Sequence, residues 1–304
     1  MAFTSHKTNR LLIASLLLVV CATSGCASLR KYKVVPDSVA KCRRLSREGV
    51  TAMERGQCEQ ARTLLDKAVE VSPTDIDARR QLAEVLWNEG AYREAADQME
   101  AAVRLDPEHG PTLVRAGEML LAAGSPGRAL ERATEAISLD PTLAGAWALR
   151  GRVHRRLENP KQALADMQHA LRYGPHATDV LLDVSELQYE LGRSHRALTT
   201  LHHVLDSYAV GEEPRRALWL EGLAYTAVER HADAITSLQA AHQRGEPNAD
   251  LLLQLAKAQA SAGRPTDAAQ TAQLALATDG GHEASRVFLA QLQVTGSPDG
   301  TILR

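Results

Sequence analysis

Aromatic residues make up only 4% of this 304-residue chain, with two phenylalanines in all. Nor do Val, Ile and Thr form the alternating runs that a half-buried strand requires, so a sheet-based core is excluded. Ala and Leu dominate instead. Unbranched side chains lose little rotamer freedom in a helix, which points to an all-α fold. Charge of one sign is lacking too. The formal net charge is −2, and removing residues 1–25 takes away Lys7 and Arg10 and no acid, leaving about −4. A nucleic-acid partner requires Lys and Arg gathered on one face, so none is expected. The sequence contains no HExxH, GxxxxGK or GxSxG. Among eleven histidines, His195, His202 and His203 lie closest together, but His202 and His203 are adjacent on one helix and diverge. The reading is a protein that is not an enzyme, with no cofactor and no metal.

Cysteines number four. Cys42 and Cys58 stand near the starts of two antiparallel helices, about 20 Å apart at 1.5 Å per residue. A disulfide needs Cα atoms within about 7 Å, so the pair is not expected to bridge. Cys58 takes the slot that Tyr92 holds 34 residues later, and Cys42 reads as a free thiol.

The N-terminus reads as an address. Lys7 and Arg10 precede the apolar run Leu11–Ala22, and small residues Thr23, Ser24 and Gly25 lead to Cys26. That order describes a secretory signal. The run of 12 is short for a spanning helix, which needs about 20 apolar residues. Ser24-Gly25-Cys26 resembles the lipobox of bacterial lipoproteins, although Thr23 stands where that motif usually has Leu. The resemblance implies cleavage before Cys26 and lipidation of that residue; ordinary secretion and an uncleaved anchor are the alternatives. With Ala27 rather than Asp after the Cys, it implies the outer membrane, facing the periplasm. Residues 26–41 read as a tether whose Arg30, Lys31 and Lys33 lie near anionic headgroups or are simply solvated.

The remaining chain repeats itself. Ala61, Ala95, Ala129, Ala163 and Ala197 are each 34 apart; Ala234 follows after 37 and Ala268 after 34. Gly49, Ala83, Gly117, Gly151, Ser185, Gly222 and Ala256 run twelve residues ahead of them. A fixed period of this size marks a solenoid. In one unit, Ile76–Glu89 is an amphipathic helix ended by Gly90, and Tyr92–Leu105 is a second helix stopped by Asp106-Pro107. Small residues in mid-helix let the backbones approach, while a lone hairpin leaves its apolar stripe bare.

A 34-residue helix–turn–helix with Trp147, Gly151, Ala163, Met167, Ala170 and Pro175 resembles the tetratricopeptide repeat (TPR). The resemblance covers residues 42–282. It implies a right-handed superhelical α-solenoid of about seven hairpins, with repeats one to five in 42–211 and repeats six and seven in 215–282. Residues 206–214 carry the insertion between the two blocks, a longer loop and a candidate hinge. Residues 283–295 read as a capping helix and 296–304 as a flexible tail. Glu158 and Glu229 replace the glycine of the hairpin turn, which suggests looser joints there.

In TPR proteins the concave groove is lined by first-helix residues beside the packing stripe. The resemblance places Arg43, Met53, Arg80, Glu84 and Trp87 there, then Val114, Glu118, Leu121, Arg152, Arg155 and Arg156. Repeats five to seven add Asp179, Leu182, Glu186, Tyr189, Trp219, Leu223, Leu253 and Lys257. Of these, Arg80, Glu84, Trp87, Arg152, Arg155, Tyr189 and Trp219 are the groove's candidate partner-binding residues, although Trp219 could equally pack against the last repeats. A basic repeat four between acidic repeats three and five fits an acidic segment flanked by apolar anchors. Ser46 and Val50 stand where chaperone-tail receptors have Lys and Asn, which disfavours that role. The implied function is a membrane-anchored scaffold holding a protein or peptide partner in envelope assembly, pilus- or secretin-like or in cell-wall machinery. The alternative is a regulatory or carrier subunit, for instance in exopolysaccharide export.

Overall fold

The computed structural model describes residues 36–295, within which fifteen α-helices and no strand occur. The signal segment, Cys26 and the tail 296–304 lie outside the described residues. Seven antiparallel hairpins follow one another: α1 (Asp37–Glu54) with α2 (Cys58–Val71), α3 (Ile76–Asn88) with α4 (Tyr92–Leu105), and α5 (Gly110–Ala122) with α6 (Pro126–Leu139). The next are α7 (Ala144–Arg156) with α8 (Pro160–Tyr173), α9 (Thr178–Glu190) with α10 (Ser194–Leu205), α11 (Arg215–Ala227) with α12 (His231–Gln243), and α13 (Ala249–Ser261) with α14 (Pro265–Thr278). A last helix, α15 (Glu283–Thr295), packs on α14 and α13. The order is that of a superhelical α-solenoid.

One boundary differs from the sequence reading. α1 starts at Asp37, so the last residues of the expected tether are helical. Pro36 stands just before the helix, where its fixed φ suits a helix start, and Asp37 places a negative charge at the positive end of the dipole, a local start signal that the 34-residue period does not report.

The ladder of small residues is the core. Ala61, Ala95, Ala129, Ala163, Ala197, Ala234 and Ala268 are all fully buried. Between them sit large side chains with no solvent contact, among them Leu65, Met119, Leu149, Met167 and Leu238. Each such side chain contributes about 1.5–3 kcal/mol on burial. The glycines of the first helices are there for closeness: a Cβ at Gly117 would stand 2.4 Å from Leu149 Cδ2, and one at Gly222 would stand 2.5 Å from Leu238 Cγ.

Every hairpin turn uses one residue in the left-handed region. Five of the seven are glycines, such as Gly90 at φ 78°; the other two are Glu158 at φ 60° and Glu229 at φ 61°. The glutamate turns keep the closing hydrogen bond of the glycine turns. Asn159 N donates to His154 O at 2.8 Å and Arg230 N to Tyr225 O at 3.0 Å, against 2.9 Å for Ala91 N to Leu86 O. The joints at Glu158 and Glu229 are therefore not looser; they hold the same geometry at a conformational cost of about 1–2 kcal/mol each.

Residues 206–214 form the loop between α10 and α11, and apolar packing continues past it. Leu201 and Val204 before the loop share a buried cluster with Ala217 and Leu220 after it. Glu213 in the loop is held by Arg244 at 2.6 Å.

Candidate functional site

The first helices of successive repeats carry charged residues that meet across repeat boundaries. Arg115 on α5 donates to Glu84 on α3 through Nε at 2.8 Å and Nη2 at 2.6 Å. Its Nη1 donates to Glu118 at 2.7 Å, and the guanidinium lies over the Trp87 ring, 4.7 Å from its centre. Tyr92 meets the same indole edge-on at 5.0 Å.

A second network joins repeats four, five and six. Arg152 donates to Asp183 at 2.8 Å and Asp179 at 2.6 Å. Arg155 reaches Glu186 and Glu190, each at 2.6 Å. From the far side Arg216 on α11 donates to Asp183 at 2.7 Å and Glu186 at 2.6 Å. Three guanidiniums are thus shared among four carboxylates. Burial disfavours the charge on Arg152, but Asp183 and Asp179 outweigh it and hold the side chain above the ordinary arginine value. The hydrogen bond to Glu186 does the same for Arg155. Burial pushes Glu186 up, yet Arg155 and Arg216 together bring it below the ordinary glutamate value.

Between the two networks opens a concave pocket of about 950 Å³, lined by Trp87, Arg115, Glu118 and Leu121 on one side and Arg152, Arg155, Arg156 and Asp183 on the other. Leu149 and Met167 form its floor. Arg156 is exposed, and among the described residues no carboxylate pairs with it.

The structure therefore brings Trp87, Arg152 and Arg155 into one pocket, with Glu84 one residue behind it through Arg115. Glu118, Leu121 and Arg156 line it too. Arg80 lies outside, 3.9 Å from Asp77. Tyr189 and Trp219 sit half-buried against Leu198, Tyr225 and Leu255, in the apolar contact of repeats five to seven. Leu182 and Leu253, placed on the groove stripe by the sequence, are buried in the packing. The arginines also differ from expectation: Arg152 and Arg155 of repeat four are already neutralised by acids of repeat five, and of the three only Arg156 is left without a carboxylate among the described residues. Sequence reasoning missed Arg115, Asp183, Glu190 and Arg216. The available signal was opposite charge at a separation of 31, one repeat less one helical turn, as in Glu84/Arg115, Arg152/Asp183 and Arg155/Glu186.

Chemistry-bearing clusters are few. Among the described residues no group of three His, Cys, Asp or Glu is arranged to hold a metal. His202 Nε2 lies 2.9 Å from Tyr225 Oη and 3.3 Å from Glu221, while His195 and His203 are exposed. Cys42 and Cys58 are both free thiols, and burial pushes the Cys42 thiol up. No described helix is long and apolar enough to cross a membrane.

Comparison with solved structures finds the same architecture. A tetratricopeptide repeat protein from Parabacteroides merdae superposes with a TM-score of 0.64 at 16% identity, over 84% of this chain and 99% of that one. PilF of Pseudomonas aeruginosa gives 0.52 at 20% identity over 84% and 99%. YrrB, described as a TPR protein with an unusual peptide-binding site, gives 0.53 at 19% identity over 64% and 98%. A comparison with curated proteins finds no match in sequence. The tetratricopeptide repeat profile matches residues 47–110, 148–201, 182–244 and 220–283, most of the chain. With the profile, the period and the hairpin stack in agreement, this chain belongs to the tetratricopeptide repeat family.

Proposed function

We propose that the chain is a non-enzymatic interaction scaffold that holds a segment of a partner protein in the pocket between Trp87 and Arg156. The observation that carries this reading is the pocket itself: a concave site of about 950 Å³ in which an indole and Leu121 stand beside Arg156, whose guanidinium has no carboxylate partner among the described residues. Aromatic and arginine side chains at the centre of a concave surface are the usual anchors of an interface. The two ion networks hold the walls. Because Arg152 and Arg155 already carry two carboxylates each, the partner gains from apolar contact with Trp87 and Leu121 and from one acidic group at Arg156. YrrB, a fold neighbour, has a peptide-binding site by its description, which agrees with such a use of the fold.

The setting we propose is the bacterial envelope, with the chain tethered through a lipid on Cys26 to the outer membrane and facing the periplasm, where it assists assembly of an envelope machine. The support is the order of charged, apolar and small residues before Cys26. Two acyl chains on one residue give firm attachment at about 0.8 kcal/mol per buried methylene. Fractionation of cells carrying Cys26→Ala tests the tether: release into the soluble periplasm supports it, and retention in the membrane fraction overturns lipidation as the anchor. For the pocket, Trp87→Ala and Arg156→Glu should each deplete co-purified partner without altering the helical circular dichroism signal. Undiminished recovery with both would overturn the pocket as the binding site.

A further inference from the structure

The first hairpin ends the described stack in a way the other repeats do not. In repeat two, Ala78, Leu82, Val85 and Leu86 are buried, and α3 packs on both α1 and α2. Thirty-four residues on, Thr112, Ala116, Met119 and Leu120 are buried in the same register. The matching positions of α1 are Arg44, Glu48, Thr51 and Ala52; Ala52 is already buried in the core, and the other three make the face polar. Together with Arg47, Arg55 and Gln60 these residues line an open cleft of about 540 Å³. Arg44 meets Glu48 only at 3.8 Å with both side chains largely exposed, and Arg55 has no partner among the described residues. Such an exposed pair contributes little.

A solenoid cap must be polar, but polarity does not dictate its sign. Here it leans basic. Residues 37–55 hold five Lys or Arg against three Asp or Glu, while residues 56–295 hold 24 against 33. α1 is therefore net basic and the described chain after it net acidic.

We propose that the end face of the first hairpin, with Arg44, Arg47 and Arg55 at its centre, docks on an anionic bilayer surface. An anionic surface attracts this end and repels the rest, which sets one orientation: first hairpin down, groove and last repeats projecting into solution. Guanidinium groups suit the occupant, because their planar fork pairs two oxygens of a phosphate headgroup at once. Lysines and arginines near an anionic leaflet strengthen its binding by about fivefold each. The proposal requires neither a lipid on Cys26 nor an occupied groove.

The test uses the full chain on two kinds of vesicle, phosphatidylcholine alone and phosphatidylcholine mixed equally with phosphatidylglycerol, read by amide hydrogen exchange. This keeps any N-terminal anchoring the same in both. Exchange across residues 37–71 should slow on the phosphatidylglycerol vesicles only, and high salt should reverse it. Arg44→Gln, Arg47→Gln and Arg55→Gln together should reduce the docked population about a hundredfold while exchange in α9 stays unchanged, which separates loss of docking from loss of fold. Equal protection on both vesicles, protection that survives the triple variant, or no vesicle effect at all (the result if the face instead meets an acidic protein) would overturn the proposal.

Discussion

Arg152 of the fourth repeat and Asp183 of the fifth are joined Nε to Oδ2 at 2.8 Å, and the same carboxylate receives Arg216 of the sixth repeat at 2.7 Å. One buried acid, its side chain 9% exposed, therefore fastens three consecutive repeats on the concave side. Removing it leaves two guanidiniums facing each other. Asp183→Ala should lower stability by about 2 kcal/mol, less than the about 3–5 kcal/mol of a fully buried pair because both arginines keep contact with water. Asp179→Asn breaks only an exposed pair and should cost under about 1 kcal/mol. Urea unfolding followed by circular dichroism measures both, and equal losses would count against Asp183 as the shared fastening.

Acid should loosen the networks before it affects the apolar core. Burial alone would raise Glu100 and Glu186, but Arg132 and Arg128 hold the first below the ordinary glutamate value and Arg155 and Arg216 hold the second. A carboxylate depressed in the folded chain adds stability above its unfolded value of about 4.3, and that stability is lost as pH falls through the depressed folded value. Thermal unfolding from neutral pH down to pH about 3 should show the midpoint falling in this acid window. Glu186→Gln should flatten the dependence. A midpoint equally sensitive in the variant would contradict this assignment.

The two glutamate turns should be improvable. Glu158 and Glu229 sit at φ 60° and 61°, where a Cβ is strained and glycine is not. Glu158→Gly and Glu229→Gly should each raise stability by about 1 kcal/mol, the relief of strain being partly offset by the greater freedom of glycine in the unfolded chain. Lower midpoints for both would mean that the glutamates make contacts worth more than the strain.

At Gly222 the opposite holds. A methyl there would come within 2.5 Å of the fully buried Leu238. Alanine gains about 1 kcal/mol of helix propensity, but overpacking costs about 1–3 kcal/mol, so Gly222→Ala should destabilise by about 1 kcal/mol. A second substitution, Leu238→Ala, makes room for the new methyl but loses a buried side chain. In the double variant the penalty of Gly222→Ala should therefore shrink or vanish, and an unchanged penalty would rule out the clash as its cause.

The hairpin stack was legible in the sequence because one period, 34, governs the small residues of both helices of nearly every unit. Local signals that break the period were harder to place. The start of α1 at Asp37 needed Pro36 read as the residue before a helix, and Glu158 and Glu229 needed the turn geometry to be imposed by the repeat rather than by the residue. The groove was only half legible. Trp87, Arg152 and Arg155 lie on the stripe and line the pocket, yet Tyr189, Trp219, Leu182 and Leu253 occupy the same stripe and pack between repeats. Which side of the stripe faces the groove depends on the rotation between neighbouring hairpins, which register alone does not contain. The partners of Arg152 and Arg155 lie one repeat on, beyond the unit that the period defines.

Whether the pocket between Trp87 and Arg156 is where a partner sits is tested most directly by crosslinking in intact cells. A photoreactive residue is placed at Leu121 inside the pocket or, as a control, at Lys161 on the exposed side of α8. A discrete adduct from position 121, lost in the Arg156→Glu background and not given by position 161, is the expected result. The same adducts from both positions, or an adduct at 121 unaffected by Arg156→Glu and Trp87→Ala, would contradict the pocket as the scaffold's binding site.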